Sequence, residues 1–182
     1  MPGDITGLKL IQTKTFSDHR GYFRETYRAE NFLETTGLDM EFVQDNESLS
    51  KSAGVLRGLH FQRPPHTQAK LVRVVCGSIF DVAVDLRPSS PTFKQWRSFE
   101  LSAENGLQLF VPGGFAHGFC TLFENTVVTY KVSDYYAPEC DGGVRWNDAE
   151  LAIDWPLAAA SIVISDKDSA LPLLSQLDPI EW

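Results

Sequence analysis

From residue 54 to residue 132 the chain falls into short runs in which apolar side chains recur at every second position, and glycine or proline stands between most of the runs. That period belongs to strands with one face turned to a core, and it leaves little room for helices. Val72, Val74 and Cys76 share one face of the run 70–76. After Gly77-Ser78, a turn signal, Phe80, Val82, Val84 and Leu86 share a face of the run 80–86, while Asp81 and Asp85 point the other way. These two runs read as a hairpin. Further runs lie at 96–101, 106–111, 118–123 and 126–132, and the last places Val128, Tyr130 and Val132 together. One helix is expected over 28–36, closed by Gly37, and a short helix or turns over 165–174. Many short strands with minor helices mean an all-β fold, an antiparallel sandwich or barrel with short peripheral helices. The 182 residues suit one domain spanning 1–182.

The formal net charge of −8 speaks against nucleic-acid and membrane-surface partners, which require a basic footprint. No leader-like segment and no apolar stretch of membrane-spanning length is visible. Three cysteines at wide spacing, Cys76, Cys120 and Cys140, form neither a disulfide framework nor a zinc pattern, so reduced thiols in a cytoplasmic protein are expected.

Two segments carry chemistry. In GVLRGLHFQ, residues 54–62, Arg57 and His60 interrupt an otherwise apolar strand. Strand parity puts them on opposite faces, unless Gly58 between them hosts a bulge that re-aims one. Taken alone, His60 reads first as a structural histidine. Gly106, Pro112, Gly114 and His117 have the G-x5-P-x-G-x2-H spacing of the second motif of cupin jelly rolls. The first cupin motif carries H-x-H and a glutamate for a metal. Here the matching region offers His60 and His66, five residues between them, and no glutamate before Cys76. A metal-free barrel is therefore expected. Tyr130 shares the parity of Val128 and Val132 and points inward, as a core tyrosine also would. Lys70 shares the parity of Val72 and Val74, and needs either a carboxylate, an anionic ligand or a snorkelling route at the strand end.

Read in order, RGYF (20–23), FVQDN (42–46), GVLRGLHFQ, KLVR (70–73), DVAVD (81–85), SSPTF (89–93), LSAEN (101–105), FAHGF (115–119), TYKVSDYY (129–136) and SDKD (165–168) resemble the dTDP-4-dehydrorhamnose 3,5-epimerases over nearly the whole chain. The resemblance implies a cupin-like antiparallel jelly roll that inverts carbons 3 and 5 of a dTDP-linked 4-keto-6-deoxy sugar without a cofactor, as a homodimer. It implies His60 as the base, Asp168 as its acidic partner, Tyr130 as the proton donor and Lys70 beside the keto oxygen, with His117 at the barrel mouth. Diphosphate and nucleoside contacts fall on Arg20, Glu25, Gln44, Asp45, Asn46, Arg57 and Lys167, and thymine stacking on Tyr136. A further substrate contact falls on Asp141, which stands where the family often has glutamate, and Ala69 stands where it often has glycine. For Asp168 a helix-capping reading competes, because Ser165-x-x-Asp168 resembles a capping box.

The residue types suit the reaction. A hydrogen beside a ketone is acidic because the charge moves onto the keto oxygen. Removing it takes a base that titrates near neutrality, held by a carboxylate, and a cation at that oxygen. A local cluster of Arg20, Arg57, Lys70 and Lys167 would hold an anionic diphosphate on an acidic protein. Three other activities remain open from sequence: a single-centre epimerase acting at carbon 3 or carbon 5, a metal-dependent cupin oxygenase, and a non-catalytic sugar-binding cupin.

Overall fold

The alternating runs form strands that divide between two sheets. The computed structural model describes residues 5, 7–158 and 161–182. In chain order its elements are β1 (Lys9–Gln12), β2 (Thr15–Asp18), β3 (Gly21–Arg24), α1 (Ala29–Thr36), β4 (Gln44–Ser50), β5 (Leu56–Gln62), β6 (Lys70–Cys76), β7 (Ser78–Asp85), β8 (Trp96–Ser102), β9 (Leu107–Val111), β10 (Phe115–Thr121), β11 (Thr126–Val132), β12 (Asp141–Gly143) and α2 (Asp166–Ser169). Sheet one runs β1-β9-β6-β11-β4, sheet two runs β12-β5-β10-β7-β8, and β2 and β3 form a separate hairpin. All the strand pairs are antiparallel. This is the jelly-roll architecture expected from the sequence.

The main core lies between the sheets. Val72, Val74, Leu109, Val111 and Val128 of sheet one meet Ile79, Ala83, Leu101, Phe115 and Phe119 of sheet two. Burying each of the Val, Leu, Ile and Phe side chains among them stabilises the fold by about 1.5–3 kcal/mol. The outer faces are covered as well. Leu71 and Phe110 on the back of sheet one pack against Phe32 of α1. On the back of sheet two, Leu59, Phe61, Val82, Val84 and Ala116 are roofed by Val144, Leu151, Leu174 and Ile180 from the C-terminal third. The α1 helix ends where expected, because Gly37 adopts φ 73 and its N–H caps the Leu33 carbonyl.

The expected 70–86 hairpin is not formed. β6 pairs with β9 and β11, and β7 pairs with β8 and β10. Gly77, at φ 77, carries the chain from one sheet to the other. A Cβ there would run into the Thr126 side chain. Cys76 also leaves the face of Val72 and Val74 and is exposed, because the β6–β11 register slips between Val127 and Val128. Asp81 and Asp85 do point away from the Phe80 face, but both are fully buried. The C-terminal roof makes the Phe80 face an outer core, so the aspartates look into the sandwich.

At Gly58 the bulge anticipated in the sequence is present. His117 sits opposite His60 and Phe119 opposite Arg57, so three steps along β5 match two along β10. The extra residue brings Arg57 and His60 to the same cavity. Gly58 has φ 111, and a Cβ there would lie 2.7 Å from the Gly118 Cα and from the His117 carbonyl oxygen. Gly58→Ala is expected to cost about 2–4 kcal/mol through backbone strain and overpacking, read as a lower urea midpoint. A midpoint within error of the parent would remove Gly58 as the element that sets this register.

Candidate active site

Two cavities open between the sheets and meet at His60, Lys70 and Tyr130. The outer one, about 400 Å³, is lined also by Gln44, Asn46, Gln62, Gln68, Tyr136, Asp141 and Lys167. Around the inner one, about 240 Å³, stand Ser48, Arg57, His117, Ser165 and Asp168. His60 comes from sheet two, whereas Lys70 and Tyr130 come from sheet one. An imidazole and a phenol thus face the same space from opposite walls.

Each interior histidine is held by a carboxylate. His60 Nε2 lies 2.8 Å from Asp168 Oδ1, and the Gly58 N–H donates to Asp168 Oδ2 at 3.1 Å. Burial pushes the Asp168 carboxyl up, but the hydrogen bond and charge of His60, the Gly58 N–H and the Lys167 charge outweigh it and hold it below the usual range. An ionised carboxylate can only accept, so the proton on His60 is assigned to Nε2. Nδ1 makes no hydrogen bond to a described residue and keeps its lone pair. The capping reading of Asp168 also holds for its backbone, since its N–H donates to Ser165 Oγ at 3.1 Å. Its side chain, however, turns to Gly58 and His60 rather than back to Ser165. In the second pair, His117 Nε2 lies 2.5 Å from Asp81 Oδ1, and both side chains are nearly inaccessible. Asp81 is a partner of His117 that sequence reasoning missed. Its signal was a carboxylate within DVAVD on a face taken to lead away from the core.

Lys70 Nζ donates to the His60 carbonyl at 3.3 Å. Burial lowers its pKa to about 8, against the pull of the Asp81 and Asp141 charges. Burial also raises the Tyr130 hydroxyl above its ordinary value, opposed by the Arg57 charge. The Arg57 guanidinium is steadied by Ser50 Oγ at 3.3 Å and the Leu49 carbonyl at 3.2 Å.

At the mouth, the Gln44 amide donates to Asn46 Oδ1 at 2.8 Å and accepts from the Tyr136 N–H at 3.3 Å. Gln62, unnoticed in the sequence, staples the rim loops. Its amide donates to the His66 and Tyr135 carbonyls and accepts from the Ala137 N–H. Ala69 fits beside Lys70, its N–H donating to Ser133 Oγ at 2.8 Å. His66 pairs with Asp134 at 3.0 Å. Among the described residues, no three His, Cys, Asp or Glu side chains are grouped to hold a metal.

Three of the expected contacts do not reach these cavities within one chain. Asp45 lies on the other face of β4, where Lys131 Nζ donates to it at 2.9 Å. Arg20 pairs with Asp18 at 2.6 Å in the β2–β3 hairpin. Glu25 pairs with Arg28 at 3.2 Å and borders a separate cavity next to α1.

Comparison with known proteins bears on the chain as a whole. A family model described as dTDP-4-dehydrorhamnose 3,5-epimerase matches residues 2–176. A dTDP-4-dehydrorhamnose 3,5-epimerase from Sinorhizobium fredii is 51% identical over 95% of this chain and 88% of its own length. A crystal structure of dTDP-4-dehydrorhamnose 3,5-epimerase from Bacillus anthracis, with TDP and PPi bound, is 54% identical and superposes with a TM-score of 0.90 over 96% of this chain and 98% of that one. The corresponding enzyme from Legionella pneumophila, in complex with dTDP-4-keto-L-rhamnose, is 47% identical with a TM-score of 0.91, covering 97% and 92% of the two chains.

The site geometry makes Lys70 the group to titrate. With a pKa of about 8, its ammonium is present at neutral pH and lost as pH rises through that value, well before an ordinary lysine. Carbon-13 NMR of the Lys70 side chain is expected to show this midpoint. In Asp81→Asn it should fall further, because the Asp81 charge supports the cation. A midpoint above pH 10 would mean that Lys70 is solvated and that the cavity is wetter than its walls imply.

Proposed function

The chain belongs to the dTDP-4-dehydrorhamnose 3,5-epimerase family, and on that premise we propose which of its residues carry the reaction. The activity is isomerisation: inversion of carbons 3 and 5 of dTDP-4-dehydro-6-deoxy-D-glucose to give dTDP-4-dehydro-L-rhamnose. The observation that carries the assignment of roles is the approach of His60 and Tyr130 to one cavity from opposite sheets.

His60 Nδ1 takes the proton from the carbon beside the ketone. The C–H bond breaks and its electron pair moves through the enolate onto the 4-oxygen. Lys70, with His117 behind it, stabilises that oxygen, a contribution of about 3–4 kcal/mol for one such donor. Tyr130 then delivers its proton to the carbon from the other wall as the carbonyl re-forms, which inverts the centre. Arg57 stabilises the tyrosinate left behind, and solvent exchange resets both groups. Asp168 supports the imidazolium while it exists. The substrate ketone is itself the electron sink, so the reading needs no cofactor. Arg57 and Lys167 face the diphosphate, Gln44 and Asn46 line its path, and Tyr136 lies against the thymine.

Arg20 and Glu25 enter this reading through a second subunit. The β2–β3 hairpin exposes Phe16, Tyr22 and Phe23 at 52%, 60% and 69%, an apolar surface that calls for a partner. A homodimer in which the hairpin reaches the neighbour's site would cover it. The free thiols fit a reducing, cytoplasmic setting.

Proton NMR of the 4-keto substrate in heavy water tests the roles. His60→Ala should lose both exchange and epimerisation by about 10²-fold or more. Tyr130→Phe, provided it binds dTDP normally, should still exchange deuterium but return retained configuration, with little inverted product. Inversion of carbon 5 by Tyr130→Phe at the parent rate would reduce Tyr130 to a core residue. Deuterium entering the parent's product at one carbon only would mark a single-centre epimerase.

A further inference from the structure

Arg57 is a cation held by neutral partners. Its Nε donates to Ser50 Oγ at 3.3 Å, and one terminal nitrogen donates to the Leu49 carbonyl at 3.2 Å. Both acceptors lie at the end of β4 in sheet one, whereas Arg57 stands on β5 in sheet two, so these bonds cross between the sheets. Among the described residues Arg57 forms no ion pair. Asp168, the carboxylate that lines the same cavity, gives its oxygens to the His60 ring and the Gly58 N–H. Neutral acceptors fix the direction of a guanidinium and leave its charge uncompensated.

Ser50 is 2% exposed and lies opposite Thr126 where β4 pairs with β11, so the sheet sets the place of its hydroxyl. It lines neither cavity, whereas Arg57 and Tyr130 both line the inner one. We propose that Ser50 is a positioning residue for the reprotonation step, holding the Arg57 guanidinium beside the Tyr130 hydroxyl, and that it acts through Arg57 without touching the substrate. The inference rests on the assignment of Tyr130 as the proton donor. When the Tyr130 O–H bond breaks and the new C–H bond forms, the phenol oxygen keeps the electron pair as a tyrosinate. Burial opposes that charge, and the Arg57 charge works against the burial. The support falls as the two groups separate. Without the Ser50 hydroxyl, the Arg57 Nε–H loses its acceptor, and the guanidinium can swing about its one remaining bond to Leu49. The tyrosinate is then stabilised less and proton delivery slows. Proton removal by His60 does not pass through Ser50 and continues.

Proton NMR of the 4-keto substrate in heavy water separates the two steps, because it reads deuterium entry at a carbon and inversion of that carbon independently. Ser50→Ala is expected to raise the ratio of exchange with retention to inversion about 3–10-fold. General damage to the fold would instead lower exchange and inversion together. Ser50→Thr keeps a hydroxyl and should bring the ratio back toward the parent value. An unchanged ratio in Ser50→Ala overturns the proposal, and so does a Ser50→Thr ratio no better than that of Ser50→Ala. A second measurement needs no variant. Nitrogen-15 NMR of the parent protein should show the Arg57 Nε–H exchanging with water more slowly than that of an exposed arginine, and exchange at the exposed rate would show that Ser50 does not hold it. Inversion of carbon 5 by Tyr130→Phe at the parent rate would overturn the donor assignment beneath the proposal, so the two failures are distinguishable.

Discussion

The carboxylate of Asp168 is 5% exposed and spends both oxygens on β5, one on the Gly58 N–H and one on the His60 ring. A buried carboxylate needs such partners, and these two donors lie in the segment where β5 departs from regular strand geometry. The bulge turns His60 and Arg57 to one side, frees the Gly58 N–H from its ladder and opens the space that Asp168 fills. α2, which carries Asp168, is held there in turn by the C-terminal chain. Leu174 and Ile180 pack on the back of sheet two, and the Trp182 indole donates to the Leu86 carbonyl. The outer core therefore stabilises the fold and also sets the orientation of an imidazole on the far side of the same sheet.

Electrostatics inside the sandwich follow from the same economy of space. Two histidines are each matched by a buried aspartate, and one lysine is left among them. Asp81 and Asp141 keep Lys70 cationic near neutrality despite its burial. A chain with a net charge of −8 thus keeps Lys70 between the two cavities, with Arg57 beside the inner one and Lys167 beside the outer one.

Much of this was legible in the sequence where the physics is local. β11 was readable to its ends because one face packs in the core and the period of two survives, whereas in β6 the period holds only as far as Val74 and fails at Cys76. The bulge was readable because Arg57 and His60 in an apolar run cannot both be satisfied by a regular strand. The false hairpin at Gly77 shows the limit, since a turn between paired strands and a crossing between sheets need the same glycine. Asp81 was misjudged because both faces of β7 are buried, and alternation cannot tell an inner core from an outer one. The His60–Asp168 pair spans 108 positions. No pattern within either segment announces the other, and only the collinear resemblance over the whole chain joined them. Asp45 resolves by simple parity, lying opposite Gln44 and Asn46 on β4.

If His60 is the base, its free lone pair must be on Nδ1, because Asp168 claims the proton on Nε2. Nitrogen-15 NMR of the ligand-free protein, read on the neutral imidazole, measures this directly. The geometry predicts that Nε2 carries the proton and that Nδ1 shows the shift of an unprotonated nitrogen, with the preference lost in Asp168→Ala. A proton on Nδ1 in the native protein would contradict it, for the lone pair would then face the carboxylate, and His60 would have no basic atom turned to the cavity.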